Sequence, residues 1–410
     1  MDTCDGRFSL EPLKIKTLLL KAVLLCLPVL FPPIVTANNE ILVGMSAAFS
    51  GLNADLGRGM KNGIELGFAE VNANGGIQGR TLRLVVKDDA YEPLRAAENM
   101  RELIDEDSVV AILGNTGTPT AVLTVPIANE EKLLMFGAYT GAGLLRKAPP
   151  DCCIYNYRAS YKEEAMLMVN HLLDSGIKPE EIAFFTQRDS YGDAGYQGAV
   201  EQLQSRGYIE AEWLAHGRYQ RNTLNVEQAV ADLLVAEVEP KAVIMVGSYA
   251  AAAKFIKLMK MDLPNLLFLN ISFTGSDSLL RMLGKDAEGV IITQVVPNMA
   301  SGLPIVQSYL KQISSSPLLL NPNVISLEGY IVARIFIDAA RKIKGDVNQA
   351  SLLTSMGNFG RLDIGLGVDM ILNEAHHQAS YEVWMSQIRK GRFVDIGSKK
   401  NDYAHTNIQK

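Results

Sequence analysis

Short apolar runs alternate with amphipathic stretches along most of this 410-residue chain. The amphipathic stretches place apolar residues three or four positions apart, which predicts helices, and the nearly continuous apolar runs predict strands buried on both faces. This alternation is typical of βαβ units around parallel sheets. The predicted strands are 41–45, 82–87, 109–113, 133–136, 182–186, 242–246, 267–270 and 290–295, and the main predicted helices are 59–71, 94–104, 163–173, 195–204, 226–234 and 250–259.

The predicted elements form two blocks, one before about Arg158 and one after it. A third stretch, from Pro297 onward, has a long helix near 327–340 but few clear strands. It is typical of a segment that is added back to an existing domain. We therefore predict an α/β protein of two lobes, between which the chain crosses more than once, leaving a hinge and a cleft.

The N-terminus has the order of a secretory signal. Lys14 and Lys16 precede an apolar run over 18–31, and small residues follow up to Ala37. A membrane anchor is the alternative, but the run contains Lys21 and is shorter than the roughly 20 apolar residues that span a bilayer. The sequence thus predicts a signal peptide over 1–37 and export to the periplasm.

Charge and cysteine content limit the partners. The formal net charge is -6 with no long run of either sign, so we expect no binding to nucleic acid or to an anionic membrane surface. Of the four cysteines, Cys4 and Cys26 belong to the signal. Cys152 and Cys153 are adjacent, and they form either a vicinal disulfide or two half-buried thiols.

Two candidate binding loops follow predicted strands of the first block. The segment 114–120 is rich in glycine and threonine, and Thr118 is either a ligand contact or a plain helix cap. The segment 137–143 contains Ala138, Tyr139 and Thr140, again at a joint between a strand and a helix. Ligands of doubly wound sheets lie at such joints, so the two loops together are suited to a carboxylate.

The second block has polar and aromatic residues at the same kind of joint. They are Tyr191, Ser248, Tyr249 and Ser272. Tyrosine suits a closing face because its ring packs and its hydroxyl bonds, although ordinary packing between lobes explains Tyr191 and Tyr249 equally well.

Motifs for chemistry are missing from the sequence. Gly57, Gly59 and Gly63 do not have dinucleotide-binding spacing, and neither a Walker sequence nor a Gly-x-Ser-x-Gly elbow occurs. His376 and His377 are adjacent and lack the spacing of helical metal ligands, and the pair at 88–89 is predicted to be a solvated turn. We therefore predict no enzyme activity, no cofactor and no metal.

Five segments carry a resemblance to a known family: 41–50, 70–80, 85–89, 189–192 and 287–290. They resemble the type I periplasmic-binding family of branched-chain amino acid ABC importers, over nearly all of 40–393. The resemblance implies two Rossmann-like lobes with parallel central sheets, a three-crossover hinge and one small-molecule ligand between the lobes. The expected limits are 38–158 plus 297–375 for the N-terminal lobe, 159–296 plus 376–396 for the C-terminal lobe, and 397–410 for a C-terminal tail.

The resemblance also implies partners and roles. It implies a monomer that delivers its ligand to an inner-membrane ABC permease with ATPase subunits. Carried over by position, the grip on a ligand carboxylate falls on Thr118, Ala138 and Thr140, the closing tyrosine on Tyr191, and a neighbouring contact on Ser248 or Tyr249. The alternative function is a sensor that uses the same lobes.

Two positions depart from the family pattern. Leu56 stands where amino acid binders have an aromatic residue, and Ser272 stands where they have the acid that pairs with the ligand's ammonium. Asp277 or Asp189 would restore an acid if the loop followed another path. Because an uncompensated buried ammonium costs several kcal/mol, we expect a carboxylate without an amine, an amide or a bulkier apolar molecule.

Overall fold

The computed structural model describes residue 6 and residues 39–317 and 320–399. Apart from Gly6, the predicted signal peptide lies outside the described residues. Among the helices that are described, none is long and apolar enough to cross a membrane.

The first lobe is built on a parallel sheet of five strands with the order β2-β1-β3-β4-β5. Its short central strands are completely buried, as their apolar sequences predict. Prolines occupy the first turns of its second and third helices, where no backbone hydrogen bond is lost. The elements are β1 (Glu40–Ala47), α1 (Ala54–Ala73), β2 (Thr81–Asp88), α2 (Pro93–Asp105), β3 (Ala111–Leu113), α3 (Thr118–Glu130), β4 (Leu134–Phe136) and β5 (Ile154–Tyr155).

The second lobe repeats this plan. Its elements are α4 (Tyr161–Asp174), β6 (Ile182–Gln187), α5 (Ser190–Ser205), β7 (His216–Tyr219), α6 (Glu227–Leu234), β8 (Ala242–Val246), α7 (Tyr249–Asp262), β9 (Leu267–Asn270), α8 (Ser276–Leu283) and β10 (Ile291–Gln294). Helix α4 begins with a capping box in which Ser160 and Glu163 satisfy each other's backbone groups. Strands β6 and β8 are buried along their whole length, so helices cover both faces of this sheet.

The chain then returns to the first lobe. The returning elements are α9 (Pro304–Ser315), α10 (Val324–Arg341), α11 (Gln349–Gly357) and a small antiparallel pair, β11 (Gly360–Leu362) and β12 (Met370–Leu372). Helix α10 packs against α1 at close range, because Gly63 lets the backbone at Ser326 and Tyr330 approach. Gly59 and Gly63 therefore serve the packing of α1 on α10, whereas Gly57 lies against the backbone of Ala48.

A third passage between the lobes adds β13 (Val383–Arg389) and β14 (Arg392–Lys399) to the second sheet. Both are antiparallel to their neighbours, and the sheet has the order β14-β13-β10-β9-β8-β6-β7. The turn between them has positive φ at Lys390 and Gly391, as two-residue hairpins require. The expectation of few strands after Pro297 was therefore incomplete, and β14 extends beyond the expected start of the tail at 397.

The two sheets confirm the predicted fold class of two α/β lobes with largely parallel central sheets. The three passages between them follow β5, β10 and β12. The carboxyl ends of the parallel strands in both lobes carry the loops that the sequence analysis selected.

Candidate ligand-binding site

The two first-lobe loops meet at their threonines. Thr118 is the first residue of α3, and its Oγ1 lies 2.6 Å from Oγ1 of Thr140 in the loop after β4. Gly117 precedes Thr118 with a φ of 107°, and a Cβ there would clash with the ring of Tyr91. The structure therefore brings together the loops that were predicted to act together, with Ala138, Tyr139 and both threonines buried.

The second-lobe residues lie at helix starts. Tyr191 is in the first turn of α5, and its hydroxyl donates to the carbonyl of Gly247 at 3.3 Å. Ser248 precedes α7, and its backbone N–H donates to the hydroxyl of Tyr219 at 2.9 Å. Tyr249 reaches across to the first lobe, where its hydroxyl accepts from the backbone N–H of Asp55 at 3.4 Å. All three predicted residues are buried.

Phe273 joins these two groups, although the sequence analysis did not single it out. Its ring centroid lies 4.5 Å from that of Tyr191 in its own lobe. Across the cleft it lies 5.3 Å from the ring of Tyr139 and 6.1 Å from that of Tyr91. The ring of Tyr161, at the start of α4, packs edge-on against that of Phe273, with 6.4 Å between the ring centroids. The contact between the lobes is thus lined mainly by aromatic rings.

Ser272 lies beside an acid that sequence reasoning missed. Its backbone N–H and its hydroxyl donate to Glu164 at 2.8 and 2.9 Å, and the hydroxyl of Thr293 donates to the same carboxylate. The two acids considered as alternatives lie elsewhere. Asp277 accepts from the backbone N–H of Val324, and Asp189 pairs with Arg221.

Arg158 occupies the position next to Glu164. Its Nη2 donates to the hydroxyl of Ser272 and lies 3.9 Å from Glu164 Oε1. Its guanidinium carbon lies 4.6 Å from the centroid of the Tyr139 ring, which allows a cation–π contact. The side chain is 1% exposed. Nothing in the local sequence distinguishes this arginine from a surface residue at a lobe boundary.

A second acid, Glu328 of α10, completes the cluster. Its Oε1 lies 3.5 Å from Nε of Arg158. Burial, together with the charge of Glu164, raises the pKa of Glu328 to about 7, against the opposing effect of Arg158. Burial also raises the pKa of Glu164. The cleft therefore contains one buried cation between two buried acids.

Residues 40–392 match the family described as periplasmic binding protein. The chain belongs to this family. A possible leucine/isoleucine/valine-binding protein from Rhodopirellula baltica SH 1 has a similar structure, with a TM-score of 0.85, 44% identity and coverage of 88% of this chain and 97% of that one.

Two relatives extend the comparison. Leu/Ile/Val-binding protein homolog 7 of Brucella abortus (strain 2308) is 25% identical over 88% of this chain and 92% of its own length. An amino acid binding protein of Pseudomonas aeruginosa is 24% identical over 46% of this chain, and the match spans 50% of that relative. These relatives and the family as a whole are ligand-binding proteins, as the resemblance in the sequence implied.

In this periplasmic binding protein, polar contacts also join the lobes at both rims of the cleft. At one rim Asp55 accepts from Ser278 and Arg281, each at 2.6 Å. At the other rim Glu92 accepts from Arg221 at 2.9 Å and Asn222 at 2.7 Å. Leu56 is buried beside Gly275 of the second lobe. These contacts hold the lobes of the binding protein together in a closed arrangement.

The acid pair at 88–89 of the binding protein differs from its prediction. Asp89 is fully buried, accepts from Ser46 and from the backbone of Tyr91, and has its pKa raised to about 6 by burial. The expectation of a solvated turn was therefore wrong for Asp89. The side chain anchors the turn after β2 to β1.

The adjacent histidines and cysteines have structural surroundings. His377 is buried, stacks on Tyr155 at 3.7 Å, and has Nδ1 2.9 Å from the carbonyl oxygen of Ile154. Cys152 and Cys153 are joined as a vicinal disulfide. Within the described ranges, no group of three or more histidine, cysteine or acidic side chains is placed to hold a metal ion.

Proposed function

We propose that this chain is the periplasmic solute-binding component of an ABC importer. It captures a small carboxylate, amide, amino-acid-like or more apolar solute by closing its two lobes, and it performs no chemistry on the solute. The observation that carries this proposal is the meeting of the two lobes at Phe273, with polar groups of both lobes gathered around that contact.

The first lobe supplies the initial grip. Thr118 lies at the start of α3, where free backbone N–H groups and the partial positive charge of the helix favour a carboxylate. The hydroxyls of Thr118 and Thr140 and the backbone at Ala138 are the donors in this role. These neutral donors suffice, because a charge-assisted hydrogen bond requires only one charged partner.

The second lobe supplies closure. Tyr191, Ser248, Tyr249 and Ser272 lie on the opposing wall, with Leu56 facing them from the first lobe. A solute that contacts both walls favours the closed state, since only closure satisfies both sets of contacts. The partner in this scheme is an inner-membrane permease with ATPase subunits, which recognises the closed form of the binding protein. Export by the N-terminal signal, location in the periplasm and a monomeric state belong to the same proposal.

A thermal-shift screen of the mature chain tests the capture of a small solute. The panel contains amino acids, aliphatic and aromatic acids, amides and lipids. A solute that binds the folded state alone raises the unfolding temperature, because it stabilises that state by RT ln(1 + [L]/Kd), where [L] is the solute concentration. We expect a concentration-dependent rise for at least one class. No rise for any class, with an intact unfolding transition, would contradict the proposal.

Replacing Thr118 with valine tests the first-lobe grip. Valine keeps the shape of the side chain but removes the hydroxyl, so we expect binding of the best solute from the screen to weaken by about 1 to 3 kcal/mol. Thr354→Val is the matched control, because Thr354 is exposed on α11 and its hydroxyl donates to the backbone carbonyl of Ala350 in the same helix. Calorimetry measures both. Unchanged affinity in Thr118→Val would exclude its hydroxyl from the grip.

A further inference from the structure

The carboxylate of Glu164 already has a full set of partners. Three donors approach it: the backbone N–H of Ser272, the hydroxyl of Ser272 and the hydroxyl of Thr293. The guanidinium of Arg158 lies beside it as a counter-charge. A buried acid that is hydrogen-bonded and paired in this way needs no cation from a ligand.

The guanidinium of Arg158 has donors left over. Among the described residues, Nη1 has no hydrogen-bond partner and Nε faces Glu328 Oε1 at 3.5 Å, although the side chain is 1% exposed. A buried guanidinium donor without a partner is costly, and a carboxylate oxygen is an acceptor with which it forms a strong, charge-assisted hydrogen bond. The unpaired Nη1 donor therefore matches an anionic oxygen.

One face of the Arg158 guanidinium is covered by aromatic rings. The Tyr139 ring lies under its guanidinium, and Phe273 packs against that ring. Tyr161 and Tyr191, whose ring centroids are 5.5 Å apart, continue this wall. A solute whose carboxylate accepts from Thr118 and Thr140 on one side and from Nη1 of Arg158 on the other would place its remaining atoms against these rings.

We infer that Arg158 supplies the cation of the cleft, so that the solute is a small monocarboxylate with an apolar or aromatic body and no ammonium group. The inference rests on the proposed function and names its substrate class. An ammonium at this place would lie within a few ångströms of the guanidinium, and like charges repel strongly at low dielectric. Arg158 thus takes the place that a ligand's own ammonium would have beside Glu164.

Glu328 provides the competing arrangement. It is the acid of the cluster with fewer partners, and a ligand ammonium bound to it would give the opposite preference. Its pKa of about 7 means that it can hold a proton at neutral pH, which lowers the repulsion toward a bound carboxylate. Pairs of solutes that differ only in the amine distinguish a ligand carboxylate at Arg158 from a ligand ammonium at Glu328.

The experiment compares 4-methylpentanoate with L-leucine, and 3-phenylpropanoate with L-phenylalanine, by calorimetry on the mature protein. We expect each carboxylate to bind at least about tenfold more tightly than its amino acid. In Arg158→Lys the charge remains but the directed Nη1 donor is lost, so carboxylate binding should weaken by about tenfold or more. Arg334→Lys is the control, because Arg334 also lies over a tyrosine and pairs with a glutamate, at the contact between α1 and α10.

The outcomes separate the inference from the proposed function. Tighter binding of the amino acids, or equal carboxylate affinity in Arg158→Lys and wild type, overturns the inference and leaves solute capture standing. If neither member of either pair binds, the inference also fails. Failure of the whole screening panel removes the proposed function as well. If Arg158→Lys does not fold, the comparison of paired solutes on the wild-type protein decides the question alone.

Discussion

Gly63→Ala is expected to destabilise the protein by about 2 kcal/mol, the upper end of the cost of overpacking less the gain in helix propensity. A Cβ at position 63 would overlap the carbonyl oxygen of Ser326 and lie 2.6 Å from the backbone nitrogen of Tyr330. Both atoms belong to the backbone of α10, so no side-chain rotation can relieve the clash. Overpacking of this kind costs about 1 to 3 kcal/mol or more, which exceeds the gain of about 1 kcal/mol in helix propensity.

Urea denaturation measures this effect. Gly302→Ala is the control, because Gly302 is exposed and a Cβ there would have no neighbour within 4 Å. A displacement of α10 would also change the cleft, since this helix carries Glu328. We therefore expect weaker solute binding in Gly63→Ala even where the protein is folded. Wild-type stability in this variant would show that α1 and α10 are not packed as described.

Glu328→Gln is expected to reduce the loss of stability that accompanies rising pH. The pKa of Glu328 is raised from 4.5 to about 7, so the folded state holds the proton more tightly than the unfolded state does. The contribution of Glu328 to the free energy of unfolding is therefore fully present below about pH 4.5, and it is lost as pH rises from there through about 7. For one buried acid the loss amounts to up to about 3 kcal/mol.

Glutamine stays neutral at every pH and so removes this contribution. Without ligand, we expect Glu328→Gln to match the wild type near pH 5 and to exceed its free energy of unfolding near pH 8 by up to about 3 kcal/mol. Some pH dependence persists, because burial also raises the pKa of Asp89 and of Glu164. Glu98→Gln, at an exposed position on α2, is the control. Equal pH dependence in Glu328→Gln and wild type would refute the assignment.

Much of the fold could be predicted because its strands are buried on both faces. A parallel strand covered by helices reads as a continuous apolar run, and β8 was predicted with its observed limits. The antiparallel strands β13 and β14 were missed, because partly exposed strands carry alternating polar residues and a weaker signal. The glycines of α1 were visible in the sequence, but their role depends on α10, which is distant along the chain.

The candidate site, like the fold, could be predicted from the sequence only in part. Thr118 and Thr140 could be selected from the sequence, since glycine-rich joints after parallel strands meet at one edge of a sheet. Phe273 follows the selected Ser272 directly, yet its contact with Tyr139 of the other lobe has no local signal.

By itself, the sequence determined the two α/β lobes, the family and the loops that line the cleft, because strand burial and turn chemistry are local properties. Only the tertiary structure decided the charges within the cleft. Arg158, Glu164 and Glu328 come from a crossover and from helices of different lobes, and each alone reads as an ordinary charged residue. Their pairing follows from the burial of three distant side chains at one point, which no pattern along the chain records.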